Sequence, residues 1–164
     1  MMFKVVRILM VALIILSGFI PTSEALPRVV PERTRDEIIQ KHLSNRSLDP
    51  VEGAWAFCLE MKCGEVAIVK NNTGKFSDLD YVGILTVAKG IGEIGEAKLF
   101  LNKGESPKLF PGKYIVQTGF GIESRFGTNF ILSNADNTLT TVNPIQEDNK
   151  PRTKIEFSRS YPLK

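Results

Sequence analysis

Cys58 and Cys63 are the chain's two cysteines, and they flank Leu59-Glu60-Met61-Lys62 where two strand-like runs meet. Opposed residues of a tight antiparallel hairpin lie about 4.5 to 5.5 Å apart at Cα, within reach of a disulfide. A structural disulfide is therefore the chemistry this spacing favours. Two reduced thiols come second. A redox or metal pair comes third, because no His or acidic cluster with zinc spacing accompanies the cysteines.

Other residue patterns point to less. Gly90-Ile91-Gly92-Glu93-Ile94-Gly95 spells G-x-G-x-x-G after a predicted strand, yet a dinucleotide site needs its last glycine to open a long helix. Glu96 to Leu101 instead runs into Asn102-Lys103-Gly104, with Pro107 and Pro111 beyond, so a glycine-rich link between strands is expected. His42, the one histidine, falls on the polar side of a short helix and reads as solvated, and no G-x-S-x-G motif accompanies it. The carboxylate pairs Asp78 with Asp80 and Glu147 with Asp148 read as solvated turn residues, not as a two-carboxylate hydrolase. Asn45-Arg46-Ser47 and Asn71-Asn72-Thr73 satisfy the glycosylation sequon, which matters only in a eukaryotic exporting cell. No enzyme activity, cofactor or metal is expected.

Charge narrows the partners. Lys and Arg number 21 against 18 Asp and Glu, a net +3 too even for a nucleic-acid partner. Lys98, Lys103, Lys108 and Lys113 are spread among acids and read as solvated surface.

The elements that must position these residues begin after an export signal. Lys4 and Arg7 precede the apolar run Ile8 to Ile20, and Pro21 and Ser23-Glu24-Ala25 follow. This is the three-part pattern of a signal peptide over residues 1–25, with cleavage after Ala25. The run is shorter than the roughly 20 residues a membrane span needs. Cleavage leaves no transmembrane anchor and places the product in the periplasm or outside the cell, an oxidising setting.

Residues 26–50 form a leader. Leu26 to Arg33, with two prolines, should be extended and pack little. Thr34 and Glu37 have capping-box spacing, and Ile38, Ile39 and Leu43 give an apolar face to a helix of about ten residues ending near Ser44 or Asn45. So short a helix must lie on something, and closing one end of the following domain is the expectation.

Residues 51–164 read as all-β. Eight short runs recur near 53–59, 65–70, 81–88, 95–101, 112–118, 126–132, 137–142 and 153–159. The links are too short for crossover helices, so a meander follows, closed as an up-and-down barrel or folded as two stacked sheets. Eight strands enclose room for side chains or for one small ligand.

Leu48-Asp49-Pro50-Val51-Glu52-Gly53-Ala54-Trp55, Val66 to Asn71, Gly92 to Lys98 and Phe157-Ser158-Arg159-Ser160-Tyr161-Pro162 carry a resemblance. Together they resemble an uncharacterised group of exported domains that open with "LDPIEG-x-W" and close with "F-x-K/R-x-YP". Gly53-x-Trp55 also looks like the first-strand signature of lipocalins and related calycin barrels. That resemblance implies an antiparallel eight-stranded barrel whose Trp55 plugs the closed end beneath a terminal arginine, here Arg159.

The expected protein is a lipocalin-like up-and-down barrel preceded by a short helix, acting as a binding or accessory module. Ile68, Leu85, Tyr114, Phe130 and Phe157 are the candidate interior residues facing a small apolar ligand. The alternative is a filled barrel that contacts another exported protein through its surface.

Overall fold

In a computed structural model, which describes residues 28–59, 62–72, 76–117, 123–142 and 154–162, the β-branched and aromatic runs form eight strands in one closed antiparallel meander. They are β1 (Gly53–Leu59), β2 (Lys62–Lys70), β3 (Tyr81–Val87), β4 (Ala97–Leu101), β5 (Leu109–Gln117), β6 (Glu123–Leu132), β7 (Thr138–Val142) and β8 (Glu156–Tyr161). β8 pairs back onto β1, so the sheet has no free edge, and the stacked-sheet option does not apply. The signal-peptide and cleavage-site expectations, residues 1–25, lie outside the described residues, as do Glu147 and Asp148.

Period-two alternation sorts each strand's side chains. Trp55, Val66, Ile68, Tyr81, Leu85, Leu99, Leu101, Phe110, Tyr114, Phe130, Leu132, Leu139 and Phe157 meet inside the barrel. Ala54, Ala67, Val69, Val82, Ile84, Phe100 and Ile115 point outward, yet they too are buried, in a second cluster with leader residues and with Phe76, Leu79, Ile94 and Tyr161, Phe76 packing edge-on against Phe100.

Strand limits differ from the sequence reading where pairing overrides composition. β2 starts at Lys62, not 65, because Lys62 and Cys63 pair with Leu59 and Cys58. β5 starts at Leu109: Pro111 lies just beyond Gly112, the last residue paired to β4, so its missing N–H interrupts no ladder on that side. β4 starts at Ala97 because Gly95 turns at φ +93°. β8 runs on to Tyr161, which pairs with Ala54.

The leader also departs from expectation. Helix α1 (Arg35–His42) has the capping box: Glu37 N donates to Thr34 Oγ1 and Thr34 N donates to Glu37 Oε2. It is shorter than the ten residues expected, because Leu43 caps it and Asn45 turns at φ +58°. It lies against the outer wall at β2 and β3 and does not close an end: Ile38, Ile39 and Leu43 are buried in the outward-facing apolar cluster. Nor is the extended part loose. Val29 and Val30 are buried, Val29 N donates to Gly95 O at 3.1 Å, and Arg28 bridges Glu96. Two valines between prolines supply enough apolar surface to seat the segment on the wall.

Candidate functional site

Three constructions concentrate the polar chemistry. The first closes the end of the barrel where β1 begins. Trp55 is wholly buried, its Nε1 donates to Val51 O at 3.0 Å, and the Arg159 guanidinium lies 4.2 Å from its ring centroid. Arg159 Nε donates to Asp136 O at 2.6 Å, NH1 to Glu52 O at 2.8 Å, and NH2 to Pro50 O. Burial holds this guanidinium below the ordinary arginine value; it stays a cation at neutral pH. Gly53 makes the approach possible at φ +149°, since a Cβ there would stand 2.4 Å from Tyr161 O and 2.5 Å from Arg159 NH1.

The Leu48–Gly53 motif serves the same closure. The fully buried Glu52 carboxylate accepts from the two terminal guanidinium nitrogens of Arg46, from Asp49 N at 2.9 Å and from Lys70 N at 3.0 Å. Asp49 Oδ2 accepts from Tyr81 Oη at 2.8 Å and pairs with Lys70 Nζ at 3.2 Å. The Tyr81 hydrogen bond, aided by Lys70, holds the Asp49 carboxyl below its usual range, and burial with the same bond pushes the Tyr81 phenol upward. The Glu52 carboxylate is buried and satisfied by these donors, which is the condition for placing an ion inside a fold, while Arg46, Asp49 and Lys70 reach it from the partly exposed rim.

The second construction fastens α1 to the wall. Glu65, outward on β2, accepts from Arg35 Nε at 2.7 Å and NH2 at 3.1 Å, from Thr86 Oγ1 at 2.7 Å and from Ser160 Oγ at 2.6 Å. Burial alone would raise this carboxyl, but the bonds from Arg35, Ser160 and Thr86 outweigh it and hold it low.

The third is the Cys58–Cys63 disulfide, on directly opposed residues of β1 and β2, with both cysteines exposed on the outer face. It acts as a staple across the hairpin.

Ile68, Leu85, Tyr114, Phe130 and Phe157 all lie inside the barrel. Trp55, Ile68, Leu85, Leu101, Phe130 and Leu139 are each 0% exposed, and Tyr114 reaches only 9%. A cavity able to admit water would leave its lining side chains with accessible surface, so around these residues the interior is filled.

Several sequence readings change. Gly90, Gly92 and Gly95 take positive φ, and Gly95 O accepts from Val29 N: the glycine-rich segment receives the leader. Lys98 is buried, not solvated. His42 is half-buried with Nε2 3.5 Å from Glu32 Oε2, so it faces a carboxylate and not open water. Asp80 Oδ2 accepts from Lys103 N at 2.7 Å, joining the β2–β3 and β4–β5 connections, and Asp78 Oδ1 accepts from Ser77 Oγ at 3.0 Å within its own turn. Asn71 Nδ2, the atom a glycan would use, donates to Phe76 O and to Leu79 O at 3.0 Å.

Sequence reasoning missed Arg35, Glu65 and Arg46. The available signal was a lone glutamate, Glu65, ahead of an apolar strand run. Among the described residues no group of three or more His, Cys, Asp or Glu is placed to hold a metal ion. Comparison of the chain with known protein families, with curated proteins and with solved structures finds no match.

Proposed function

We propose that the protein is an exported, non-enzymatic, calycin-like β-barrel module that works through its outer surface on another exported protein. One observation carries this reading: the candidate ligand-facing residues Ile68, Leu85 and Phe130 have no accessible surface. A small-molecule site is a cavity of about 300 Å³ or more, and this packing supports a filled barrel over a hollow one.

The ionic clusters support the non-enzymatic reading in the same way. Glu52, Glu65 and Arg159 are saturated by partners inside the fold, whereas a catalytic group must keep a donor or acceptor for substrate. Export is supported by the N-terminal sequence pattern and by the disulfide. Among the described residues, no helix is long and apolar enough to cross a membrane.

Among the described residues, the outer face of β6 to β8 is a surface open to a partner. Asn129, Ile131, Thr138, Thr140, Glu156 and Ser158 lie there, none of them buried, with Ile131 43% exposed. Native mass spectrometry of the protein recovered from its exporting compartment tests the reading. The bare polypeptide mass is expected. A reproducible additional mass the size of a small molecule would overturn it in favour of an apolar-ligand carrier.

A further inference from the structure

The β1–β2 hairpin outruns the sheet on both sides. Among the described residues, β1 pairs with β8 no further along than Phe57 with Phe157, and β2 with β3 no nearer the hairpin end than Glu65 with Val87. Cys58 with Cys63 and Leu59 with Lys62 are therefore rungs of a bare two-stranded ribbon at the barrel rim. Such a ribbon without neighbouring strands is marginal in water, so the disulfide is what keeps these rungs closed. Both cysteines are exposed, and an exposed disulfide is the kind open to attack by a thiolate. The barrel itself is shut elsewhere, by β8 on β1 from Ala54 to Phe57 and by Arg159 over Trp55. Opening the bond can free the tip and leave the barrel closed.

The two sulfurs are not equivalent. Cys58 lies on the β8 side of the hairpin and Cys63 on the β3 side. Next to Cys58 the outer face presents Ala56 and Ser158, small and exposed, with Glu156 exposed beside them. Next to Cys63 it presents Glu65, which is buried and tied to Arg35 Nε at 2.7 Å. Exposed Lys62 precedes Cys63, and a neighbouring ammonium favours the thiolate form of a departing sulfur. The open approach leads to Cys58, and the better leaving group is Cys63.

We infer that Cys58–Cys63 is a thiol-exchange site that switches the rim hairpin between a locked and a released tip, with Cys58 as the sulfur attacked. An incoming thiolate forms a bond to the Cys58 sulfur as the Cys58–Cys63 bond breaks, and Cys63 leaves as a thiolate. A second thiolate then removes the first from Cys58 as a disulfide, so two external thiols are oxidised and both cysteines are reduced. A small thiol and a cysteine of another exported protein share this chemistry. The inference does not depend on which protein the face of β6 to β8 contacts.

The test treats the intact, oxidised protein with 2-mercaptoethanol, a thiol that carries no second charge for Glu156 to repel, then quenches with acid and maps adducts by peptide mass spectrometry. The adduct is expected on Cys58 with Cys63 free, formed at least as fast as in the urea-unfolded chain and under a native far-UV spectrum. Full reduction should lower amide protection at Leu59 and Lys62 while the paired β1–β8 rungs keep theirs. Exchange seen only in urea, an adduct chiefly on Cys63, or tip protection unchanged by reduction overturns the inference. Cys63→Ser, which removes the resolving thiol, separates the two sources. Recovered from exporting cells, it should carry a mixed disulfide on Cys58 whose mass is that of a small thiol or of a protein. A free Cys58 thiol in that variant, with its native spectrum intact, overturns the site; the mapping on the unaltered chain stands even if the variant does not fold.

Discussion

The Arg159 guanidinium lies 4.2 Å from the Trp55 ring centroid while its nitrogens donate to the carbonyls of Pro50, Glu52 and Asp136. One side chain from the last strand thereby covers the indole of the first and joins two connecting segments to it. Arg159→Met keeps much of the volume but orphans those carbonyls and removes the cation over the ring. Charged hydrogen bonds contribute about 1.5 to 3 kcal/mol each, with losses that overlap. The expected destabilisation is about 3 to 5 kcal/mol, with a shift in emission of the single tryptophan. Chemical denaturation followed by fluorescence checks both, and unchanged values would refute the contact.

Glu65 makes the attachment of α1 dependent on pH. Its folded carboxyl lies below the ordinary value of 4.5, so its contribution is complete above that pH and is lost as pH falls through the folded value. Glu32 is shifted the same way from the same ordinary value, and Asp49 is held below its own lower ordinary value of 3.8, so its contribution is lost at lower pH. Protection of the Ile39 and Leu43 amides, relative to their intrinsic exchange rates at each pH, should therefore fall below about pH 4.5 before that of the barrel strands does. Arg35→Ala should abolish most of that pH dependence at a cost of about 1 to 2 kcal/mol, discounted because Arg35 is part-exposed. Helix protection that stays flat through this range would remove Glu65 as the fastening.

The β meander was legible because its signals are local: alternation, short links, and a cysteine pair at hairpin spacing. The capping box at Thr34 and Glu37 was legible for the same reason. The resting place of α1 was not, because strands β2 and β3 read as fully apolar whether a second layer covers their outer face or not. The same ambiguity hid Lys98 and made the valines of the leader look idle. Glu65 and Arg35 stand 30 residues apart, and nothing in the spacing of either announces the other. The interior residues were legible as a list, but whether they leave a void depends on how Trp55, Tyr114 and Phe130 fill space together, which one-dimensional pattern does not encode.

Gly53 supplies a sharper test of closure than the interior side chains. At φ +149° its backbone lies where side chains rarely go, and a built Cβ would overlap both Tyr161 O and Arg159 NH1. Gly53→Ala must push β8 away or expel the guanidinium. The expected loss is about 3 kcal/mol or more, from strain together with part of the Arg159 network. Thermal unfolding measures it, and a loss under about 1 kcal/mol would show that the closed end yields without cost.

Reduction of Cys58–Cys63 should act quite differently from these closures. The bond joins residues already paired in β1 and β2 and closes a loop of a few residues, so the chain-entropy contribution is only about 2 kcal/mol. The barrel is closed independently, by β8 on β1 at Phe57, Ala56, Trp55 and Ala54. The reduced protein should therefore keep its far-UV spectrum and its buried tryptophan emission while melting at a lower temperature, and both thiols should label under native conditions because both cysteines are exposed. Cys58→Ser with Cys63→Ser should reproduce the reduced melting curve. Collapse of the native spectrum on reduction would mean that the hairpin staple, and not the Trp55–Arg159 closure, holds β1 in the sheet.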